Sequence, residues 1–182
     1  MRVVALTGVP GTGKSTLASG LSARGIPVVD LNEFARGVGL LGPLDAARGS
    51  FVVDTRRLAG RLRHALRGLE DAYVVVEGHF AHEMEVDGVF LLRCDPLVLL
   101  ERLRARGWRE EKVRENVEAE ALDVLAAEVL GRRVPAVEMD VSRLGVEDAT
   151  DAVSRFVVGG PKAFKGSPVG SAVWRVESLP WF

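Results

Sequence analysis

The octapeptide Gly8-Val9-Pro10-Gly11-Thr12-Gly13-Lys14-Ser15 has the spacing G-x-x-x-x-G-K-[S/T] and follows an apolar run, Val3-Val4-Ala5-Leu6. Each residue type answers a demand of polyphosphate binding. Several backbone N–H groups must converge on the anion, and Gly8, Gly11 and Gly13 let the chain wrap closely without Cβ clashes. The Lys14 ammonium can reach the β- and γ-phosphates, and the Ser15 hydroxyl can ligate Mg²⁺. A helix opening at about Ser15 would turn its positive N-terminal end toward the same anion. The stretch predicts a protein that binds a nucleoside triphosphate.

Two other constellations could complete the chemistry. Glu77 closes the apolar run Tyr73–Glu77 and is followed by Gly78-His79. A carboxylate at the carboxyl end of a strand beside a phosphate loop can hold Mg²⁺ through water or orient an attacking group. His79 could position a water or sense the γ-phosphate; the plainer reading is a hydrogen-bonded loop histidine. His82 is a weaker candidate, and His64, in an arginine-rich helix, reads as exposed. No His/Cys cluster has the spacing of a structural zinc site. The third constellation is Arg102, Arg104, Arg106, Arg109, Lys112 and Arg114. Its plain reading is a solvated helix face supported by Glu101, Glu110, Glu111 and Glu115. Its sharper reading is a cationic lid, which surrounds a developing metaphosphate with positive charge and excludes water.

The elements that must position these groups alternate strand and helix, which implies a parallel sheet covered on both faces. Strands are expected at Arg2–Thr7, Pro27–Asp30, Tyr73–Glu77, Val89–Arg93 and Ala136–Asp140. Helices are expected at Ser15–Ala23, Leu31–Arg36, Asp54–Leu69, Asp95–Arg106, Glu110–Leu130 and Val146–Val158. Asp95-Pro96 is a strong opening, an N-cap followed by proline at the first helical position. Gly37–Ser50 shows little periodicity, and the whole of Asp30–Val53 is too long for an ordinary connection, so it reads as an insertion. Gly159–Phe182 is a Gly/Pro/Ser-rich tail ending in aromatics.

Composition narrows the class. A chain of 182 residues, 47% hydrophobic and with net charge −1, suits one globular domain without a nucleic-acid signature. Charged residues interrupt every apolar run before it reaches membrane-spanning length. The first strand begins at Arg2, which argues against a signal peptide, and Cys94 is the lone cysteine, so a reducing cytoplasm is expected. The absence of an Asn-Lys-x-Asp motif argues against a regulatory GTPase.

The phosphate loop with Thr16, the segments Val74-Val75-Val76-Glu77-Gly78-His79 and Leu91-Leu92-Arg93-Cys94-Asp95-Pro96, and three later pieces match one family. Those pieces are Glu101-Arg102-Leu103, Arg106-Gly107-Trp108 and Lys112-Val113-Arg114-Glu115-Asn116. From Arg2 to about Val158 the chain resembles the archaeal putative adenylate kinases, relatives of the eukaryotic nuclear adenylate kinase that interacts with coilin and assists small-subunit ribosome assembly. Glu77-Gly78-His79 is the strongest discriminator from ordinary adenylate kinases.

The resemblance implies an α/β P-loop fold with a five-stranded parallel sheet and helices on both faces. It implies a domain over residues 1–158, with an NMP-binding insertion at about 30–53 and a lid at about 104–115, and a tail over 159–182. The implied activity is reversible phosphoryl transfer, ATP + AMP = 2 ADP, with broad tolerance of nucleotides and a slow ATPase. Carried over residue by residue, Gly11, Gly13, Lys14, Ser15, Thr16 and Arg106 would hold ATP, and Arg36 would clamp the AMP phosphate. Ser15 and Glu77 would attend Mg²⁺, and Lys14, Arg106, Glu77 and His79 are the catalytic candidates. The eukaryotic relatives carry aspartate at the Glu77 position, so Glu77 reaches about one methylene further, which favours a water-mediated metal contact. A small-subunit ribosomal protein is the implied macromolecular partner, with Val173-Trp174 and Leu179-Pro180-Trp181-Phe182 the candidate surface. Neither a membrane nor sequence-specific nucleic acid is expected as a partner. A shikimate- or gluconate-type kinase and an ATP-switched assembly factor with incidental kinase activity are the alternatives.

Overall fold

The structure, a computed structural model, describes residues 1–45, 50–160, 167–174 and 179–181. Its frame is a five-stranded parallel sheet built from β1 (Arg2–Thr7), β2 (Val28–Asp30), β5 (Tyr73–Glu77), β6 (Gly88–Arg93) and β7 (Ala136–Asp140), in the order β2-β5-β1-β6-β7. Alternate residues of the strands feed two cores, one on each face. Val4, Leu6, Val75, Phe90 and Leu92 meet α1 (Lys14–Ala23) and α7 (Val146–Gly159) through Leu17, Leu21, Val153 and Phe156. Ala5, Val74, Val76, Val89 and Leu91 meet the opposite layer. That layer holds α3 (Thr55–Leu66), α4 (Pro96–Ala105), α5 (Glu110–Ala121) and α6 (Val124–Leu130). Leu58, Leu62 and Leu66 form the buried stripe of α3, at the spacing that one helix face requires.

Caps fix where these helices begin. The Asp95 carboxylate accepts from the N–H groups of Leu97 (2.8 Å) and Val98 (3.4 Å), with Pro96 at the first helical position of α4. Asp30 ends β2 and caps α2 (Leu31–Gly37), accepting from Asn32 N–H at 2.7 Å and Glu33 N–H at 3.0 Å. Such a cap stabilises a helix by about 1 kcal/mol, and each one also sets where the preceding strand stops.

Two expectations from the sequence need revision. The segment without periodicity contains an antiparallel pair, β3 (Leu41–Asp45) with β4 (Ser50–Val53), joined through residues outside the described set. Gly42 and Pro43 interrupt the alternation that would have signalled a strand. The single helix expected over Glu110–Leu130 is two, α5 and α6, because Asp123 takes a left-handed backbone with φ 56°. Aspartate tolerates that region better than most residues, and its carboxylate is held there by the Arg93 guanidinium. The break lets α6 pack on β6 beside α5.

The tail returns to its own domain. The Glu138 carboxylate accepts from the N–H groups of Gly170 (2.9 Å) and Ala172 (2.7 Å), and Trp174 lies over Arg93 at 5.4 Å. Leu179 is buried, and Trp181 packs on the same core while Arg114 lies 5.6 Å from its ring. Val173 remains exposed. Among the described residues no helix is long and apolar enough to cross a membrane.

Candidate active site

The phosphate loop leaves β1, the central strand, and enters α1. Its glycines are required by the backbone. Gly11 and Gly13 have φ of 97° and 100°, and a Cβ on Gly11 would fall 2.7 Å from Leu99 Cδ1. The Lys14 ammonium folds over the loop and donates to the carbonyls of Gly8 (2.9 Å) and Val9 (3.1 Å). Burial lowers its pKa to about 8, against the opposing pull of Glu77. A polyphosphate would offer this ammonium far stronger acceptors than two carbonyls.

Glu77 ends β5, paired in register with Leu6 of β1, and is buried. Burial raises its pKa, while Lys14 pulls it down. Ser15 Oγ lies 3.5 Å from Glu77 Oε1. Asp30, at the end of β2, faces the same cleft. Ser15, Glu77 and Asp30 are all hard oxygen donors, which suits Mg²⁺. Among the described residues no cluster of three or more acidic, His or Cys side chains could hold an ion unaided. The donor set therefore fits a Mg²⁺ carried in with substrate phosphates, and such an ion would neutralise charge on the transferring group.

His79 stands at the rim of the cleft, its ring edge-on to Phe80 with centroids 4.7 Å apart. The surrounding wall and the nearby Lys14 cation push its imidazole below the ordinary range, although the residue is open to solvent on one side. A neutral imidazole can accept a proton or hold a water. Its main-chain carbonyl accepts from Thr7 Oγ1 at 3.1 Å, so the backbone of this turn is tied to β1.

One cleft of about 240 Å³ collects Gly11, Gly13, Lys14, Ser15, Thr16, Glu77, His79 and Arg106. These residues come from three separated segments of the chain. Of the six cations between Arg102 and Arg114, Arg106 is the one that lines this cleft. Arg104 pairs with Glu110, Lys112 with Glu115 at 2.9 Å and Arg114 with Glu118 at 2.7 Å, so those three follow the solvated-helix reading. Arg102 braces the fold, donating to the carbonyls of Val141 and Ser142 at 3.0 Å each. Arg36 is exposed on α2 and lines neither this cleft nor the pockets beside it.

Two pockets flank the cleft. One of about 170 Å³ shares Gly11, Gly13, Thr16 and Arg106 with it and has apolar walls from Val141, Leu144 and Val146. The other, about 360 Å³, shares Pro10 and His79 and is lined by Phe51, Val53 and Phe80 together with residues of α5 and α6. The sequence reading missed Asp30, Asn32 and Trp108 in the cleft and both phenylalanines in the larger pocket. Asp30 did carry a signal, since a capping residue at a strand end in this fold faces the ligand crevice.

Comparison with known proteins gives the family and the fold. Residues 4–123 match the domain family described as AAA domain. A putative adenylate kinase of Archaeoglobus fulgidus is 38% identical over 96% of this chain and 93% of its own. The chain belongs to the family of archaeal putative adenylate kinases. Another member, from Pyrococcus abyssi, is 35% identical over 98% of this chain and 96% of its own. Among solved structures, the shikimate kinase of Acinetobacter baumannii in complex with shikimate superposes with a TM-score of 0.60 at 17% identity, covering 87% of this chain and 94% of that one. The shikimate kinase of Bacteroides thetaiotaomicron gives 0.57 at 19%, covering 85% and 97%. At such identities these two establish the P-loop kinase fold of the putative adenylate kinase family member, and nothing finer.

Proposed function

We propose that this protein is a Mg²⁺-dependent nucleoside monophosphate kinase of the adenylate kinase type, transferring the γ-phosphoryl group of ATP to AMP and hydrolysing ATP slowly without an acceptor. The observation that supports it is the sequence of three adjoining spaces, with the Lys14/Arg106 cleft lying between a smaller and a larger pocket. In this reading the ATP base enters the smaller pocket and its phosphates wrap on the loop. The acceptor nucleoside occupies the larger pocket, and the transferring phosphoryl group lies between Lys14, Arg106 and the Mg²⁺ attended by Ser15 and Glu77. Positioning and charge supply the catalysis, because phosphoryl transfer asks little covalent chemistry of the protein. The insertion over residues 30–53 and the lid over 104–115 act as acceptor wall and phosphate cover, with residues 46–49 outside the described set.

ADP release measured with AMP, CMP, GMP, UMP, shikimate or no acceptor tests this function. Strong stimulation by AMP is expected. Stimulation by shikimate alone would transfer the protein to the metabolite kinases. Equal rates with and without every acceptor would leave an ATPase, the behaviour of an ATP-driven assembly factor. Binding to small-subunit ribosomal components would be sought on surfaces other than the tail aromatics, since Trp181 and Leu179 pack on their own domain.

A further inference from the structure

The tail beyond α7 fastens α5 near both of its ends. At the carboxyl end, Glu120 accepts from Arg93 Nε at 2.8 Å, and Arg93 also donates to Glu138 at 3.1 Å. The tail closes over that network. Ser167 O accepts from Glu138 N–H at 3.0 Å on β7, the last strand of the sheet, the Glu138 carboxylate takes the N–H groups of Gly170 and Ala172, and Trp174 covers Arg93. At the amino end, Leu179 is buried in the core that Val113 and Val117 of α5 join. Trp181 packs on the same core with Arg114 5.6 Å from its ring. Arg114 lies within 104–115, the segment proposed above as the phosphate cover.

What α5 holds matters because of what adjoins it. Arg106 is the C-cap of α4, and only Gly107, Trp108 and Arg109 separate it from α5. Gly107 takes φ 71° with open space where a Cβ would stand, so no side chain of its own steadies the turn. Trp108 lines the cleft together with Arg106. On one side α4 is tied to the phosphate loop, with Leu99 and Leu103 packed against Gly11. On the other side α5 is tied to the tail. The turn that carries Arg106 is strung between these two anchors, and the angle between α4 and α5 sets where the guanidinium stands. Trp181 lines neither the cleft nor the two pockets beside it, so any influence it has on the reaction passes through α5.

From this we infer that Trp181 is a positioning residue for phosphoryl transfer: with Leu179 it straps the first turns of α5 to the core and so keeps the 106–109 turn where Arg106 meets the transferring phosphate. The inference rests on the kinase reading above, in which Arg106 serves the transition state. A guanidinium displaced from a developing anion costs kcat more than it costs ground-state binding. Linkage makes the effect mutual. If the strapped tail favours Arg106 in the cleft, then phosphates that draw Arg106 in must also tighten the tail.

Hydrogen exchange on the whole protein reads that tightening at the Gly170 and Ala172 amides, with and without Mg²⁺ and a β,γ-imido analogue of ATP. The analogue is expected to slow both amides by about fivefold or more, the low end of ordinary coupling, and to slow them less in Arg106→Ala. In the kinase assay Trp181→Ala should lower kcat by about fivefold or more with the ATP KM within about twofold, and Trp181→Phe, which keeps a ring against Arg114, should recover most of it. Combined with Arg106→Ala, Trp181→Ala should cost little further, because the residue it positions is already gone. Tail amides indifferent to the analogue, or losses in Trp181→Ala and Arg106→Ala that multiply, overturn the inference and leave the kinase standing. The exchange measurement needs no variant of the tail, so it decides the matter even if Trp181→Ala fails to fold. Absence of AMP-stimulated ADP release in the wild type overturns the kinase reading and the inference with it.

Discussion

Ser15 Oγ lies 3.5 Å from Glu77 Oε1, although the two residues are 62 positions apart in the chain. The sheet sets that separation. β5 pairs with β1 so that Glu77 stands opposite Leu6, and Gly78 N–H donates to Leu6 O at 3.2 Å. Two residues beyond Leu6 the loop begins. A one-residue slip of β5 would turn Glu77 to the other face of the sheet, and the cleft would lose its carboxylate.

Glu77→Gln keeps the shape of that pair and removes the charge. Phosphoryl transfer and ATP hydrolysis are expected to fall together, and higher Mg²⁺ should recover part of both. His79→Ala should reduce hydrolysis while sparing most AMP-dependent transfer, because AMP brings its own nucleophile. Both rates measured on both variants decide the roles; equal proportional losses in His79→Ala would leave that residue a shaper of the turn.

Lys14 predicts a pH dependence of opposite sign for stability and for binding. Its folded pKa, about 8, lies below its ordinary 10.5. Between those values the unfolded chain holds a proton that the ligand-free fold does not, so stability gains from Lys14 as pH rises through this window and is penalised below it. Phosphates favour the charged ammonium, so ATP binding above pH 8 should take up one proton and its Kd should rise by up to about tenfold per pH unit. Calorimetry in buffers of different ionisation enthalpy reads the proton directly. Lys14→Met should abolish both the uptake and the transferase activity; a Kd that is flat from pH 8 to 9.5 in the wild type would contradict the assignment.

Arg106→Ala is expected to lower kcat by on the order of 10²- to 10³-fold, the effect of removing a positioned charge at a developing anion. Arg114→Ala should cost far less, because Arg114 is held by Glu118 on α5 and lies over Trp181. Arg109→Ala should be similarly mild. Steady-state rates for the three variants test the contrast, and a uniform loss would remove Arg106 from its special place.

Arg93 should matter for stability. It is buried and donates to Glu120 (2.8 Å), Glu138 (3.1 Å) and Asp123, joining β6, α5, β7 and the break before α6. Arg93→Ala strands two buried carboxylates, and such one-sided removal costs about 3–5 kcal/mol. Urea unfolding midpoints should show that loss, with Glu120→Gln restoring part of it in the Arg93→Met background. A loss below about 1 kcal/mol, the worth of an exposed pair, would mean the carboxylates are relieved by water.

Much of this protein is determined by local sequence. The phosphate loop needs only its own glycines, Lys14 and Ser15 to declare itself, because backbone amides and positive φ angles are local properties. β1, β5 and β6 carry apolar runs and are therefore legible, and the Asp95-Pro96 helix start follows from capping chemistry within a few residues. Two elements were opaque for equally physical reasons. The β3–β4 pair has Gly42 and Pro43 where alternation should be, and the α5–α6 break depends on a bond from Asp123 to an arginine 30 positions earlier. Tertiary structure decided the choices that carry function. Residue types alone choose none of the six cations in the arginine-rich segment; the family resemblance selects Arg106, and the fold places Arg106 at the cleft while acids pair with Arg104, Lys112 and Arg114. Phe51 and Phe80 belong to no local pattern. They line one pocket with α5 and α6 because pairing of distant strands and the break at Asp123 bring separate elements together, a long-range property that spacing along the chain does not encode.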